Sequence, residues 1–275
     1  MRLISKDTLP IAAVFAATFI AGYAATGRAR RSADAPPPFP GAVVVAELFV
    51  SEDCPGCPPA DRVLAQIVDQ PVVPGVEILG LVEPVDYVTP RGSQPALSSA
   101  PFTTRQSAYD ERVFHRGTLR TPQIVVDGQV EAMGDDFSPI QRAVVRAAQF
   151  GKAVVTIDAR PASDVKELHV SLQITVPPDV PTFETTQVFV AVTAHHRTPG
   201  VRLTDRWRFA PKRGAVVRSL STIGTVPTGL RTWSTQASVP ILPEWKPAEL
   251  KVVGFLQESE SLRIVGAGSA AVSVN

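Results

Sequence analysis

The chain has 275 residues, 44% of them apolar, and 27 Lys and Arg against 26 Asp and Glu give a formal net charge of +1. Such a chain can pack cores and carries no field of one sign, which excludes a mostly disordered protein and leaves nucleic-acid binding without electrostatic support. Its two cysteines lie three positions apart, so a framework of several disulfides between distant loops is also excluded.

Residues 8–27 are uncharged, and Arg2 and Lys6 precede them. That order predicts an export signal, either cleaved near Ala24 and Ala25 or kept as a membrane tether. Ala35 to Gly41, with four prolines, reads as a linker. Residues 1–41 are therefore expected to export or anchor the chain and place it in the periplasm or outside the cell.

Val43 to Val50 is an apolar run broken only by Glu47, as in a strand buried on both faces. Ala60, Val63, Leu64, Ile67 and Val68 follow at helical spacing. Val76 to Val85 predicts a second, parallel strand. Phe102, Tyr109 and Val113 predict a helix, and Ile124 to Val126 a short strand. Asp127-Gly128 signals a hairpin turn and no more than that, with a return strand from Val130. Ser138-Pro139-Ile140-Gln141 reads as an N-cap, a first-turn proline and a capping-box glutamine, with Gly151 as the stop. Beyond 151 the pattern changes to strands at 153–159, 166–176, 186–194, 215–223, 232–241, 250–257 and 262–267. The expected architecture is an α/β thioredoxin-like fold over 42–150 and an all-β, antiparallel sandwich-like domain over 151–275.

Cys54-Pro55-Gly56-Cys57 is the main chemical signal. Two thiols so spaced can meet at a helix start, where the N-terminus favours the reactive thiolate. A disulfide between them closes too short a ring to contribute much stability, which favours chemistry over stapling. Cys54 would attack a substrate disulfide and Cys57 would resolve the mixed disulfide. Pro58 and Pro59 predict that the regular helix starts only near Ala60. Glu52 and Asp53 oppose thiolate formation nearby. Thr121-Pro122 is the second signal: in a thioredoxin-like sheet a proline starting the strand after the second helix commonly has a cis bond and faces the dithiol, and the backbone around Thr121 could then pair with an extended substrate. Glu47 is the third, a carboxylate in an apolar strand that either shuttles protons or bonds a backbone group.

Val45 to Ser51 followed by Cys54-Pro55-Gly56-Cys57-Pro58-Pro59-Ala60-Asp61 resembles the uncharacterised secreted thioredoxin-like proteins of bacteria. Val85-Asp86-Tyr87, Phe102 to Tyr109, Thr121 to Gly128, Phe255-Leu256-Gln257 and Ile264 to Ala267 are similar to the same family, so the resemblance covers roughly 42 to 268. It implies a thioredoxin-like fold, export, paired cysteines at Cys54 and Cys57, and a facing loop at Thr121-Pro122, without a settled reaction. Pro84 and Val88 stand where the family has tryptophans, Asp53 replaces the tryptophan before the cysteines of thioredoxin, and the loop from Thr89 to Ala100 is polar.

The function expected from these residues is exported thiol-disulfide exchange with protein cysteines or a redox partner, without a cofactor. The alternatives are a binding scaffold with a structural disulfide and a copper carrier, for which two cysteines alone are an incomplete ligand set. His115 is expected to cap a helix end. His195 and His196 point to opposite strand faces, and His169 to the surface. Asp86 and Tyr87 are expected to anchor a loop. Arg105 and Gln106 are expected to make helix-face or interdomain contacts, and Trp207, Trp233 and Trp245 to pack.

Overall fold

The computed structural model describes residues 41–51, 54–87, 100–133, 136–194 and 215–274. The expectations for residues 1–40, Glu52, Asp53, Val88, 89–99, His195, His196 and Trp207 lie outside the described residues. Among the described residues no helix is long and apolar enough to cross a membrane.

The elements follow in the order β1 (Val43–Val50), α1 (Cys57–Asp69), β2 (Glu77–Pro84), α2 (Ala100–Tyr109), β3 (Gln123–Val126), β4 (Val130–Met133), α3 (Phe137–Ala147), β5 (Ala153–Pro161), β6 (Glu167–Thr175), β7 (Thr186–Ala194), β8 (Ala215–Val226), β9 (Thr232–Pro240), β10 (Leu250–Glu258) and β11 (Ile264–Ala271). All eleven strands among the described residues join one mixed sheet in the order β4-β3-β1-β2-β8-β7-β10-β11-β5-β6-β9. This overturns the expectation of an α/β thioredoxin fold followed by a separate all-β domain. The junction is a parallel pairing of β2 with β8 through Leu81–Ala215 and Val82–Val216. An open edge on β2 would leave its backbone groups unpaired, and β8 covers that edge at Leu81 and Val82.

Strand β1 is buried on both faces, as its apolar run requires. Val44, Ala46, Leu48 and Val50 pack with Ala60, Leu64 and Ile67 of α1 and with Ile140 and Val144 of α3. Val45 and Phe49, on the other face, pack with Tyr109, Val253 and Phe255, so the first strands and β10 share a core. Further along, the sheet doubles over. Val170 and Leu172 of β6 share a third core with Val188 and Val190 of β7 and Val252 of β10.

Two helix starts differ from expectation. α1 begins at Cys57, with Gly56 as N-cap. Pro58 and Pro59 fit inside the first turn because the N–H groups they lack would have no intrahelical partner there. The first α-helical bond runs from Ala60 N to Gly56 O at 3.3 Å. In α3 the cap is Asp136, whose side chain accepts from Ser138 N at 3.0 Å. Asp136→Ala is therefore expected to cost about 1 kcal/mol, whereas Ser138→Ala should leave stability nearly unchanged. Denaturant unfolding of the two variants checks this.

The Asp127-Gly128 hairpin does more than turn the chain. Both residues have positive φ, 46° and 70°, as the tight hairpin requires. A Cβ on Gly128 would stand 2.0 Å from Leu262 O, so the tip can close onto the β10–β11 turn only as glycine. The buried Asp127 carboxylate accepts from Val45 N at 2.9 Å and from Lys152 Nζ. Burial raises its pKa, an effect that Lys152 opposes.

Candidate functional site

Strand β1 delivers the chain to Ser51 at one end of the sheet, and the cysteines follow. Cys54 and Cys57 form a disulfide with a Cα–Cα distance of 5.4 Å. Cys57 N donates to Cys54 O at 3.2 Å, so the Cys-Pro-Gly-Cys segment is a tight turn leading into α1. The two sulfurs differ in access. Cys57 is fully buried in the core under α1, and Cys54 is half-buried at its margin. No acidic residue lies in the first turn of α1, so the helix N-terminus acts on the pair without a local counter-charge from that turn.

Pro122 follows a cis peptide bond from Thr121. A Cβ built on Gly56 would lie 3.1 Å from Pro122 Cδ, which places this proline directly against the cysteine turn. Thr121 Oγ1 and Ser51 Oγ are hydrogen-bonded at 2.7 Å. Gln106 of α2 holds the same loop from behind: its Nε2 donates to Arg120 O and to Gln123 Oε1, both at 2.9 Å. Cys54, Cys57, Thr121 and Pro122 are thus brought together, with Ser51 and Gln106 as supports that the sequence did not single out for this.

Glu47 is not part of that group. Strand alternation puts it with Val45 and Phe49, on the face away from α1. Its two oxygens accept from Arg105 Nε and, at 2.5 Å, from Tyr109 OH. Arg105 extends the network, with Nη1 donating to Gln257 Oε1 at 3.0 Å and Nη2 to Tyr109 OH at 2.7 Å. Its guanidinium also lies 5.0 to 5.1 Å from the ring centres of Phe189, Phe255 and Tyr109. Burial alone would lower the pKa of Arg105, but Glu47, Tyr109 and Glu83 outweigh it and the net shift is upward.

Glu83, a residue absent from the sequence reading, completes this cluster. It is fully buried, and neither of its oxygens has a donor. Desolvation, and then the negative charge of Glu47, push its pKa well above the ordinary value. Protonation relieves the cost of burying this charge beside Glu47. A group whose folded-state pKa is raised binds more protons in the native than in the unfolded state. Stability is therefore full below the unfolded-state value of 4.5 and falls as pH rises above it, by up to about 1.4 kcal/mol per pH unit until the folded-state value is passed. Glu83→Gln keeps the shape without the charge. Its melting temperature is expected to gain on wild type as pH rises above 4.5, and a gap independent of pH would contradict this.

The remaining candidates fall where their bonds put them. Asp86 anchors a loop, with its N–H on Thr103 Oγ1 at 3.1 Å and its Oδ1 accepting from that hydroxyl at 2.6 Å. His115 ends the π-helical turn Asp110–Phe114 that continues α2, in the left-handed conformation and with its N–H on Asp110 O. His169 is exposed beside Ser238. Trp233 and Trp245 pack on the sandwich core. Among the described residues no group of three His, Cys, Asp or Glu side chains is placed to hold a metal ion.

A family model described as "Protein of unknown function (DUF1223)" matches residues 45–257, from β1 through the cysteine turn to Gln257 of the buried cluster. The chain belongs to this family. No curated protein matches it. Among solved structures, a protein from Agrobacterium tumefaciens is similar, with 24% identity over 85% of this chain and 96% of that one and a TM-score of 0.61. HBP35 of Porphyromonas gingivalis is similar at 12% identity, over 86% of this chain and 76% of that one, with a TM-score of 0.60. At these identities the likeness concerns the fold alone.

Proposed function

We propose that this DUF1223 protein exchanges disulfides with protein thiols outside the cytoplasm through Cys54 and Cys57. The observation that carries the reading is the asymmetry of the pair: a half-buried Cys54 in front of a fully buried Cys57, at a helix N-terminus, with Pro122 against the turn. A substrate thiolate reaches Cys54 Sγ and breaks the Cys54–Cys57 bond, and Cys57 leaves as a thiolate that takes up a proton. A second substrate thiolate then attacks the substrate sulfur of the mixed disulfide and releases Cys54. The substrate loses two electrons and two protons, and the pair ends as a dithiol. Run backward, the same steps reduce a substrate disulfide.

Thr121 and Pro122 offer the surface that an extended substrate segment meets, and Ser51 and Gln106 hold that surface in place. The likeness of the cysteine motif to secreted thioredoxin-like proteins supports the same chemistry. The apolar run at 8–27 after Arg2 and Lys6 supports export, with the tether as its second form. Partners are then exported proteins with cysteines, or a redox protein that resets the pair.

The reduction potential of the pair, from thiol trapping across glutathione buffers, tests the reading. A potential between roughly −270 and −120 mV supports exchange and indicates its direction. A potential below about −300 mV marks a disulfide that the glutathione pool does not open, and the binding-scaffold reading takes its place.

A further inference from the structure

A cavity lies at the end of β1 away from the cysteines. The cysteines follow its last residue, whereas Asp127, in the wall of this cavity, bonds Val45 near its first. Val45 and Val50 are separated by about 17 Å at the rise of a strand. The cavity has a volume of about 440 Å³, within the range of small-molecule sites, roughly 300–1,000 Å³. It opens where α3 and the β3–β4 hairpin meet the loop before β7 and the start of β11, a junction of the kind where ligand sites concentrate.

Its wall combines two chemistries. Val126, Ala147, Phe183 and Val265 give an apolar lining, and Phe150, 49% exposed, stands at it without a covering neighbour. Arg146, Lys152 and Arg263 face a single lining carboxylate, Asp127. The charges can be paired off. Lys152 is buried and bonds Val43 O and Asp127 Oδ2, which leaves one of its three N–H groups. Arg263 is held by Glu258 through Nε and Nη2. Arg146 is exposed and has no acceptor among the described residues. One positive charge at the cavity is therefore left over beside an uncovered apolar wall.

We infer that this cavity binds a small linear amphiphile with one carboxylate, its apolar chain along Ala147, Phe150 and Phe183 and its head group at Arg146 and the spare N–H of Lys152. A monoanion matches the single unneutralised charge, and a guanidinium fork matches a carboxylate in geometry. The apolar chain replaces water on a surface that the fold leaves open.

Calorimetric titration of the full chain with hexanoate, octanoate and decanoate tests this, with octylamine and octanol as controls. Saturable one-to-one binding is expected, with Kd falling about three- to fourfold for each added CH2. Octylamine should not bind. Arg146→Glu, at an exposed position, should weaken octanoate at least about tenfold, the effect of roughly 1.4 kcal/mol. Phe150→Ser should flatten the chain-length trend. Neither substitution touches the cysteine turn, so both should leave disulfide exchange unchanged, and a failure here is separable from a failure of the exchange reading. No saturable binding of octanoate at about 5 mM, equal binding of octylamine, or indifference to Arg146→Glu would overturn the inference.

Discussion

Cys57→Ser protein will accumulate a mixed disulfide with a disulfide-bonded substrate through Cys54, and Cys54→Ser protein will form none. The difference follows from access. A nucleophile can approach only a sulfur that solvent reaches, and Cys57 is fully buried while Cys54 is half-buried. With Cys57 replaced, the mixed disulfide on Cys54 loses its internal resolving thiol and persists. With Cys54 replaced, the remaining thiol lies in the core under α1 and turnover falls to the uncatalysed background. Mass spectrometry after alkylation, with an exported protein carrying a disulfide as substrate, distinguishes the two: the Cys54 thiolate attacks that disulfide, and one substrate sulfur leaves as a thiolate. Equal trapping by both variants would show that the buried sulfur opens during exchange. Trapping by neither, with both variants folded, would remove exchange as the function.

The strands were legible where alternation or an unbroken apolar run marked them. The expected segments at 186–194 and 250–257 coincide with β7 and β10 to within a residue, because their burial follows their own side chains. Partner choice was not legible. The pairing that makes one sheet of the whole chain is two rungs long, Leu81–Ala215 and Val82–Val216, and joins strands far apart in sequence. A buried run such as Val76 to Val85 states that both of its edges need partners but not which strands supply them. The cap of α3 was missed for a local reason: Ser138 and Asp136 are both good caps, and only the backbone conformation at Asp136 decides between them.

The cysteine turn was legible because its whole signal fits in four residues. The buried polar cluster was not. Arg105 lies 58 positions from Glu47 and 152 from Gln257, and no periodicity links residues so distant. A signal did exist. Glu47 stood out as a charge in an apolar strand, and Glu83 after Leu81 and Val82 has the same character. Two acids on neighbouring buried strands call for a cation, and the helix between Phe102 and Tyr109 carries one, Arg105. Asp127 was passed over for the opposite reason: the turn residue explained itself so well that its side chain went unasked.

Arg105→Ala will then be the most destabilising single change in the cluster, at about 3–5 kcal/mol, the usual cost of leaving a buried charge without its partner. Four losses coincide. Glu47 is left with only Tyr109 as donor, Gln257 Oε1 loses its donor, the rings of Phe189, Phe255 and Tyr109 lose a cation, and a cavity opens between α2 and β10. The double substitution Arg105→Met with Glu47→Gln separates charge from packing, because it removes both charges and restores volume. It should recover more than half of the loss, since a buried ion pair replaced by apolar or neutral groups is often neutral in stability. Denaturant unfolding measures all three proteins. If the double variant is no more stable than Arg105→Ala, the cluster acts through the shape of its packing around Arg105, and the pairing of Glu47 with Arg105 contributes little to holding α2 against β10.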